Sequence, residues 1–510
     1  MNNRRDFIRE LLIGGGALLI APRILSANSI TGALAPEAPA AVDAWSQLPR
    51  ILARIKAPVF PKRNFPITRY GAIGDGETDC TEAFRKAIAA CNRAGGGRVV
   101  VPAGVFHTGA IHLQSNVNLH VTKAATIKFN RDPRKYLPLV FSRWEGMELM
   151  NYSPFIYAFE QTNIAITGTG VIDGNASCEH WWPWKGRTQC GWKQGDPHQL
   201  PARNKLYEFV AKGTPVSERI FGEGSYLRPS FIQPYRSRNV LIEGVTLRHS
   251  PMWQVHPVLC TNVIVRNVTI EREANASQQT GPNADGCDPE SCRDVLIEGC
   301  TFSTGDDCIA IKAGRNNDGR RINVPSENII IRNCHMRDGH GGITVGSEIS
   351  GGVRNVFAYD CRLDSPNLDI AIRFKNNALR GGKLENFYFK NIDVGEVADA
   401  AITIDFNYEE GKNGPHTPVV RNVQVNGLRS SKSERALDLQ GLDKAPIYGV
   451  HLENCMFRNV AKDNIIKNVQ GLTMRNVVIN GKPMVAASET ARGPLQMTLA
   501  ENRLKIPSIA

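Results

Sequence analysis

The stretch RNVLIEGV (Arg238–Val245) decides the fold, because two close copies follow it: TNVIVRNV (Thr261–Val268) and RDVLIEGC (Arg293–Cys300). Each copy begins with a basic or polar residue and then Asn or Asp, continues with alternating aliphatic residues, and ends on a small apolar residue. Weaker copies begin at Glu327, Arg354, Glu385, Arg421, Tyr448 and Gly471, with spacings of 22 to 36 residues. Repetition at this period indicates a solenoid.

The repeating unit is built from strands. A helical solenoid would contain runs of ten or more residues with 3.6-residue periodicity, whereas these units hold only short alternating runs rich in Val and Ile. Stacked coils of this kind form a parallel β-helix, in which equivalent residues lie about 4.8 Å apart. One inward ladder is predicted to contain Val245, Val268, Cys300, Cys334, Cys361, Ile392, Cys455 and Val477. The four cysteines among them suit packing as small hydrophobic residues better than metal binding, and the Asn or Asp of each unit suits a turn.

The β-helix is predicted to span residues 65–485. Near its start, Asp79 is a candidate N-cap for a helix that carries Phe84, Ile88 and Cys91 on one face and would cap the open end of the solenoid. An insertion at 174–237, rich in aromatic and basic residues, is expected on the binding face, where its rings would contact sugars or pack on one another. Residues 28–64 are interpreted as a linker or N-terminal extension, and residues 486–510 as a loosely attached tail.

Residues 1–27 have the pattern of a twin-arginine export signal. Arg4 and Arg5 precede the uncharged run Leu11–Pro22, and Leu25–Ala27 offers a cleavage site. That run is much shorter than the ~20 apolar residues that a membrane span requires. The mature protein is therefore expected outside the cytoplasm, in the periplasm or beyond, without a stable membrane span. In that compartment Cys178 and Cys190, which flank a Trp-rich loop, are candidates for a disulfide.

The overall charge narrows the class of partner without fixing it. The 510 residues carry a formal net charge of +12, which favours nucleic acid, an anionic membrane or a polyanionic sugar. Hydrophobic residues make up 42% and charged residues 22% of the chain, as in an ordinary protein with a large core.

Four polar clusters interrupt the apolar strands at the spacing of single coils. They are Asn283–Asp288, Thr304–Cys308, Gly339–Gly342 and Arg373–Lys375. Each alone is weak evidence, since an isolated Gly-Asp-Asp is often only a turn. Consecutive coils would bring all four to one face, although about ninety residues separate the first from the last.

With these clusters the sequence resembles the polygalacturonases, glycoside hydrolase family 28, from about residue 65 to about residue 480. The family motifs Asn-Thr-Asp, Gly-Asp-Asp, Gly-His-Gly and Arg-Ile-Lys correspond to Asn283–Asp285, Gly305–Asp307, Gly339–Gly341 and Arg373–Lys375. Only the middle residues Ala284 and Phe374 depart from the pattern. The resemblance implies a right-handed parallel β-helix and hydrolysis of α-1,4-galacturonosyl linkages in pectin, with no nucleic acid partner, cofactor or metal.

The resemblance also implies the roles of individual residues. Asp306 would be the general acid, Asp285 and Asp307 would orient and deprotonate water, and His340 would support the protonation state of the acid. Arg373 and Lys375 would bind the substrate carboxylate. Asn283, Tyr408 and His256 are further candidates for substrate contact. Chemistry agrees with the acidic set, because glycoside hydrolysis needs a proton donor and a carboxylate, and three neighbouring carboxylates should share at least one proton near neutral pH.

These residues could also have purely structural roles. Asp285 or Asp307 alone could be a turn residue, His340 a buried hydrogen-bonded histidine, and Arg373 and Lys375 merely counterions of the aspartates. Two other functions remain open: a polysaccharide lyase that uses Ca²⁺ on the same fold, and a non-catalytic carbohydrate-binding β-helix.

Two finer predictions concern the mode of cleavage. The family resemblance implies inversion at the anomeric carbon, although adjacent coils would hold the carboxylates closer than the ~6.5–9.5 Å usual for inverting enzymes. The insertion 174–237 and the basic run Lys312–Arg321 would wall off one side of the cleft and leave a pocket. The stretch Gly339–Glu348 resembles that of exo-acting bacterial members of the family, and this resemblance implies exo-acting cleavage.

Overall fold

The computed structural model describes residues 43–272 and 281–484. From Ala44 onward the described chain forms one compact unit. It is a right-handed parallel β-helix, in which strands one coil apart pair in three ladders, and this confirms the predicted fold class. The predicted export signal 1–27 and the predicted tail 486–510 lie outside the described residues.

The three ladders account for nearly all of the strands. The first ladder stacks Asn64–Pro66, Gly97–Val101, Val117–Val121, Thr162–Gly168, Arg238–Glu243, Thr261–Arg266, Arg293–Glu298, Ser326–Arg332, Val353–Leu363, Lys383–Glu396, Val419–Asn426, Ile447–Phe457 and Val469–Ile479. The second stacks Asp75–Asp79, Gly104–Thr108, Ala125–Phe129, Val171–Asp173, Thr246–Arg248, Thr269–Ile270, Thr301–Ser303, His335–Val345 and Arg429–Lys432, continues through the later halves of the long first-ladder strands, and ends on the antiparallel strand Lys482–Met484. The third stacks Ile111–His112, Ile156–Phe159, Ile232–Tyr235, Ile309–Ile311, the later half of His335–Val345, Leu368–Lys375, Ala400–Asp405, Arg435–Gln440 and Ile465–Lys467. An antiparallel hairpin, Val140–Trp144 with Met147–Asn151, lies outside them.

Helices are short and few among the described residues. The α-helices are α1 (Leu48–Arg54), α2 (Thr81–Arg93), α3 (Leu200–Lys212) and α4 (Asn316–Ile322). The 3₁₀ helices are Ala44–Gln47, Ile67–Tyr70, Pro133–Tyr136, Trp182–Lys185, Thr188–Cys190 and Val216–Glu218. No helix in the described part of the chain is both long enough and apolar enough to cross a membrane.

The Asn of each repeat forms a turn, as predicted. Asn239, Asn262 and Asn328 adopt left-handed backbone conformations with φ between 56° and 58°, which Asn tolerates better than most residues. Their side chains stack along the solenoid, since each amide donates to the equivalent residue of the preceding coil at 2.8–2.9 Å. The repeat in the sequence therefore encodes both a backbone turn and a hydrogen-bonded ladder.

The predicted inward ladder is confirmed. Every member from Val245 to Val477 is at most 2% exposed, and Cys361 pairs in register with Ile392, as Cys455 does with Val477. The ten cysteines outside the disulfide are free and buried, so they fill the core as small apolar groups.

The helix predicted near the start of the solenoid is α2, and its apolar face joins the core at the first coils. Its N-cap is Cys80 rather than Asp79. The Asp79 carboxylate nevertheless accepts a hydrogen bond from the Thr81 backbone at 2.9 Å, the bond between residues i and i+2 that is expected of a capping side chain.

The later part of the 28–64 extension packs along the outside of the first ladder. Ile51 and Ile55 are buried against a row of ladder side chains that includes Leu241 and Leu296, and Arg54 bonds Asp294 at 2.7 Å. Residues 28–42 lie outside the described part of the chain.

The insertion 174–237 is held to the solenoid by its aromatic residues. Trp181 and Trp182 are buried, and the Trp182 indole donates to the Ser250 carbonyl at 2.9 Å. The structure contains the predicted disulfide between Cys178 and Cys190, which closes the loop that carries these residues. Of the two interpretations of the aromatic residues, packing within the protein therefore holds for both tryptophans.

Candidate active site

The four polar clusters of the sequence meet at one place on the solenoid. Bridges along the third ladder connect Cys287 to Ile309, Ile309 to Ile343 and Ile343 to Ile372, so the clusters occupy consecutive coils. Their side chains border a cavity of about 290 Å³, whose lining includes Asp285, Asp306, His340, Arg373 and Lys375. The prediction that one face gathers all four clusters is confirmed.

Three carboxylates lie together at this cavity, and two of them, Asp285 and Asp306, line it. Asp285, Asp306 and Asp307 each place one oxygen within 4.8 Å of the others, and Asp285 and Asp307 are almost completely buried. Like charges this close repel strongly in a poorly solvated site. The cluster is stable only because of its protons and counterions.

Each carboxylate faces its own cationic partner. Lys312 Nζ lies 3.6 Å from Asp285, and Lys375 Nζ donates to Asp307 at 2.5 Å. His340 Nδ1 lies 3.4 Å from Asp306. All three partners come from the same ladder as the acids or from its adjoining turns.

The protons of the site are divided unequally. Burial, followed by repulsion from Asp306, raises the pKa of Asp285 far above its usual range. For Asp306 the effect of burial is outweighed by the hydrogen bond and charge of His340, which lower its pKa. The same hydrogen bond raises the pKa of His340 to about 9. Asp285 therefore holds a proton more readily than Asp306, and the Asp306–His340 pair carries one proton below about pH 9, mainly on the imidazole.

Arg373 and Lys375 lie on the same face of their strand, as their i and i+2 spacing predicted. Arg373 Nη1 is 3.5 Å from Asp307, and both cations lie within 6 Å of the centre of the Tyr408 ring. All three residues line the cavity. The two cations thus neutralise Asp307 and also remain beside the space where a ligand would bind.

Asn283 is bonded on every side. Its amide donates to Asp306 at 3.4 Å, while its carbonyl oxygen accepts from Lys185 at 2.6 Å and from Arg228 at 2.9 Å. A left-handed backbone, with φ of 55°, turns the side chain toward these partners. Asn283 therefore links Asp306 to a group of cations on the far side of the cavity.

His256 does not reach the cavity, so the prediction that it contacts substrate is wrong for this structure. The imidazole is completely buried. One ring nitrogen lies 2.8 Å from Glu290, and the other lies 3.0 Å from both Ser230 and Gln233. Its ring packs against Trp253, which does line the cavity, so His256 forms the layer behind.

Several cavity residues were not singled out from the sequence. Lys312, predicted only as part of a wall, lines the cavity, where it lies 3.6 Å from Asp285 and bonds Glu348 at 3.1 Å. The signal that could have found it is its position directly after the strand Ile309–Ile311, where it pairs in register with Glu290 of the preceding coil. Lys185 and Arg187 were hidden because the insertion has no periodicity that places them.

A network of ion pairs connects separate segments beside the cavity. Arg203 of α3 bonds Glu145 at 2.9 Å. Arg315 bonds Glu348 at 3.2 Å and Glu409 at 3.1 Å, and its guanidinium lies over the Tyr207 ring. The insertion and the basic run after Lys312 therefore both line the cavity, as expected for a wall.

The three aspartates are spaced closely enough to share a cation. Their charges, however, are already compensated by Lys312, Lys375 and the raised pKa of His340. A Ca²⁺ site normally gains affinity from uncompensated carboxylates. The donor set therefore fits an acid and base arrangement better than a metal site.

Comparison with known proteins agrees with this geometry. The profile of Glycosyl hydrolases family 28 matches residues 222–479. The crystal structure of a hyperthermoactive exopolygalacturonase from Thermotoga maritima is 46% identical and superposes with a TM-score of 0.82, over 86% of this chain and 96% of that one. An exo-poly-alpha-D-galacturonosidase from Dickeya chrysanthemi is 27% identical over 82% of this chain and 74% of its own length. This chain belongs to glycosyl hydrolase family 28.

Proposed function

We propose that this protein is an exo-acting polygalacturonase, which hydrolyses α-1,4-galacturonosyl linkages near the end of a pectin chain. The observation that carries the proposal is the cluster of three carboxylates, two of which line one cavity together with Arg373, Lys375 and Tyr408. An acid and a base for the glycosidic bond thus lie next to cations for a sugar carboxylate. A non-catalytic binding protein would not need the acid and the base.

In the proposed mechanism Asp306 protonates the leaving oxygen. The proton comes from the Asp306–His340 pair, which holds one proton at neutral pH whichever atom carries it. Asp307, held by Lys375 and fully buried, accepts the proton of the attacking water. Asp285, whose pKa is raised, orients that water by a hydrogen bond. Arg373 and Lys375 bind the uronate carboxylate through charge-assisted hydrogen bonds.

We propose inversion of configuration, as the family resemblance implies. The carboxylate oxygens lie within 4.8 Å of one another, closer than the ~6.5–9.5 Å usual for inverting enzymes. Because two aspartates can hold one water between them, the short separation does not require a covalent intermediate. Proton NMR of the first product checks this proposal, and a retained anomeric configuration would refute it.

Exo-acting cleavage is supported by the wall and by the relatives. The ion pairs of Arg203, Arg315 and Glu409 occupy one side of the cavity, whereas an endo-acting enzyme needs a cleft open at both ends. The similar proteins from Thermotoga maritima and Dickeya chrysanthemi carry exo-acting names.

The test is to incubate the enzyme with polygalacturonate and follow viscosity, reducing ends and chromatographic products together. Release of mono- or digalacturonate with little early loss of viscosity is expected. Early collapse of viscosity would contradict the exo mode, and an unsaturated product or inhibition by a chelator would indicate a lyase instead.

The location of this activity is a separate proposal. The twin-arginine pattern of residues 1–27 supports export, where the acidic polysaccharide is found and where the disulfide Cys178–Cys190 would persist. Fractionation of cells that express the full chain, compared with an Arg4→Lys, Arg5→Lys variant, tests it.

A further inference from the structure

The charges on the two sides of the cavity are compensated differently. Near the aspartates every cation has a carboxylate partner, as Lys375 has Asp307 and Lys312 has Glu348. On the side formed by the insertion, Lys185 and Arg187 line the cavity and form no ion pair with a described residue. An excess of positive charge therefore remains on that side.

The hydrogen bonds of Lys185 show the same excess. Its ammonium donates to the neutral Asn283 carbonyl oxygen at 2.6 Å. Burial, opposed in part by Glu145 but reinforced by Arg228, Arg187 and Arg203, lowers the pKa of Lys185 to about 8. Burial and the neighbouring cations therefore destabilise the charged form of Lys185, and a bound anion would stabilise it.

Arg228 adds a second buried cation without a counterion. Its side chain is completely buried, and it donates only to neutral acceptors: Gln199, the carbonyls of Pro251 and Pro282, and Asn283. Lys185, Arg187, Arg203 and Arg228 form one group of cations. The carboxylate that acts most strongly on Lys185 and Arg228 is Glu145, which already bonds Arg203 at 2.9 Å and lies 3.7 Å from Arg315. Buried charges are normally paired, so the buried Arg228 and the half-buried Lys185 favour an external anion, and the exposed Arg187 adds a third positive charge beside them.

This group of cations and the pair Arg373 and Lys375 lie on opposite sides of the aspartates. Lys185 contacts Asn283 on the first of the four consecutive coils, whereas Arg373 and Lys375 come from the last. At about 4.8 Å per coil, the two coils are separated by roughly 14 Å along the solenoid. The catalytic aspartates lie between two cationic groups.

The loop that carries Lys185 and Arg187 is fixed in place. Lys185 ends the 3₁₀ helix Trp182–Lys185, whose first residue bonds Ser250, and the disulfide Cys178–Cys190 closes the loop around it. A site that is held in advance loses less conformational entropy when it binds a ligand.

We propose that Lys185 and Arg187 form a second carboxylate subsite, which binds the uronate on the side of the scissile bond opposite to the uronate bound by Arg373 and Lys375. This inference rests on the proposed function. It makes the enzyme selective for linkages with a free carboxylate on both sides, and it assigns that selectivity to the insertion rather than to the family motifs.

The experiment compares trigalacturonate with the three trimers that each carry a single methyl ester, on the central carboxylate or on either terminal one. The carboxylates that flank the cleaved bond are the central one and one of the terminal ones. For wild type, each ester that removes a bound carboxylate should lower kcat/KM about 10-fold to 100-fold, the effect of a lost charged hydrogen bond. In Arg187→Gln and in Lys185→Met with Arg187→Gln, discrimination against one of the two esters that flank the cleaved bond should fall below 3-fold, while discrimination against the other flanking ester persists. Arg373→Gln should show the reverse pattern.

Two controls separate this effect from loss of structure. Lys193→Met removes one charge from the same insertion outside the cavity lining and should keep the discrimination of wild type. Arg187→Lys should restore part of the lost discrimination, and because Arg187 is exposed its replacement should leave folding intact.

The outcomes are distinct. If wild type hydrolyses no galacturonate oligomer, the proposed function fails. If wild type is active but Arg187→Gln and the double variant discriminate as wild type does, or lose activity equally on all four substrates, the second subsite is refuted and the proposed function stands.

Discussion

The two sides of the cavity differ in how they are built and in how well the sequence predicts them. The aspartate side, which carries Asp285, Asp306 and Asp307, is built on the third ladder and its adjoining turns, where each functional residue has a fixed position in a regular coil. The insertion side stands on an irregular loop, held by Trp182 and the disulfide Cys178–Cys190. On the first side the charges are paired almost one to one, and on the second they are not. The regular side therefore suits proton transfer between fixed groups, and the irregular side suits capture of an anion.

The largest expected effect is that of Asp306→Asn. The change removes the proposed proton donor and should lower kcat by about 100-fold to 10,000-fold. Because the hydrogen bond to Asp306 is the main cause of the raised His340 pKa, that pKa should fall from about 9 toward ~6.5. Steady-state kinetics and NMR titration of the imidazole measure the two effects. Asp338→Asn is the control, since Asp338 lies two residues before His340 and outside the cavity lining, and turnover near wild type in Asp306→Asn would contradict the assignment.

Periodicity explains why the aspartate side could be predicted. Once the repeat at Asn239, Asn262 and Asn328 had fixed the coil, motifs at coil spacing had to meet on one face, whatever their separation in sequence. The same reasoning failed for His256, which occupies a coil near the site but is buried behind the cavity lining. The position of a residue within its coil does not show which groups a buried imidazole will hydrogen-bond. This reasoning also could not place Lys185, whose position depends on the packing of tryptophans in an insertion without a repeat.

The next largest effect is expected from substitution of Lys375, and it should differ in kind from the effect of substituting Arg373. Lys375→Met leaves the fully buried Asp307 without its 2.5 Å partner, so it should lower stability by about 3 kcal/mol and reduce kcat as well as raise KM. Arg373, at 3.5 Å and partly accessible, contributes less to Asp307. Arg373→Gln should therefore mainly raise KM, by about 10-fold. Equal losses of kcat in both variants, with unchanged thermal stability, would show that the two cations do not differ in this way.

The pH dependence of the reaction tests the Asp306–His340 pair. The pKa of His340 is raised to about 9, so the pair keeps its proton at neutral pH and loses it as the pH rises through about 9. We expect kcat/KM to fall on the alkaline side near pH 9. In His340→Gln that limb should disappear or move, whereas His451→Gln, far from the cavity, should leave it in place. An alkaline limb unchanged in His340→Gln would assign it to another group.

The smallest expected effect concerns the disulfide of the insertion side. Cys178 and Cys190 are 12 residues apart, and closing a loop of about 15 residues stabilises a protein by about 3 kcal/mol. The buried tryptophans Trp181 and Trp182 still anchor the loop without it, so Cys178→Ser with Cys190→Ser should unfold the insertion more readily while leaving the β-helix folded. Hydrogen exchange should accelerate between residues 178 and 190 but not in the strand Leu368–Lys375. Since the proton-transfer groups stand on the ladder, kcat should change less than 3-fold, and the loss should fall on KM because Lys185 and Arg187 are held less firmly. A loss of kcat as large as that of Asp306→Asn would mean that the two sides of the cavity are not independent, and that the insertion holds the aspartates in place as well as the substrate.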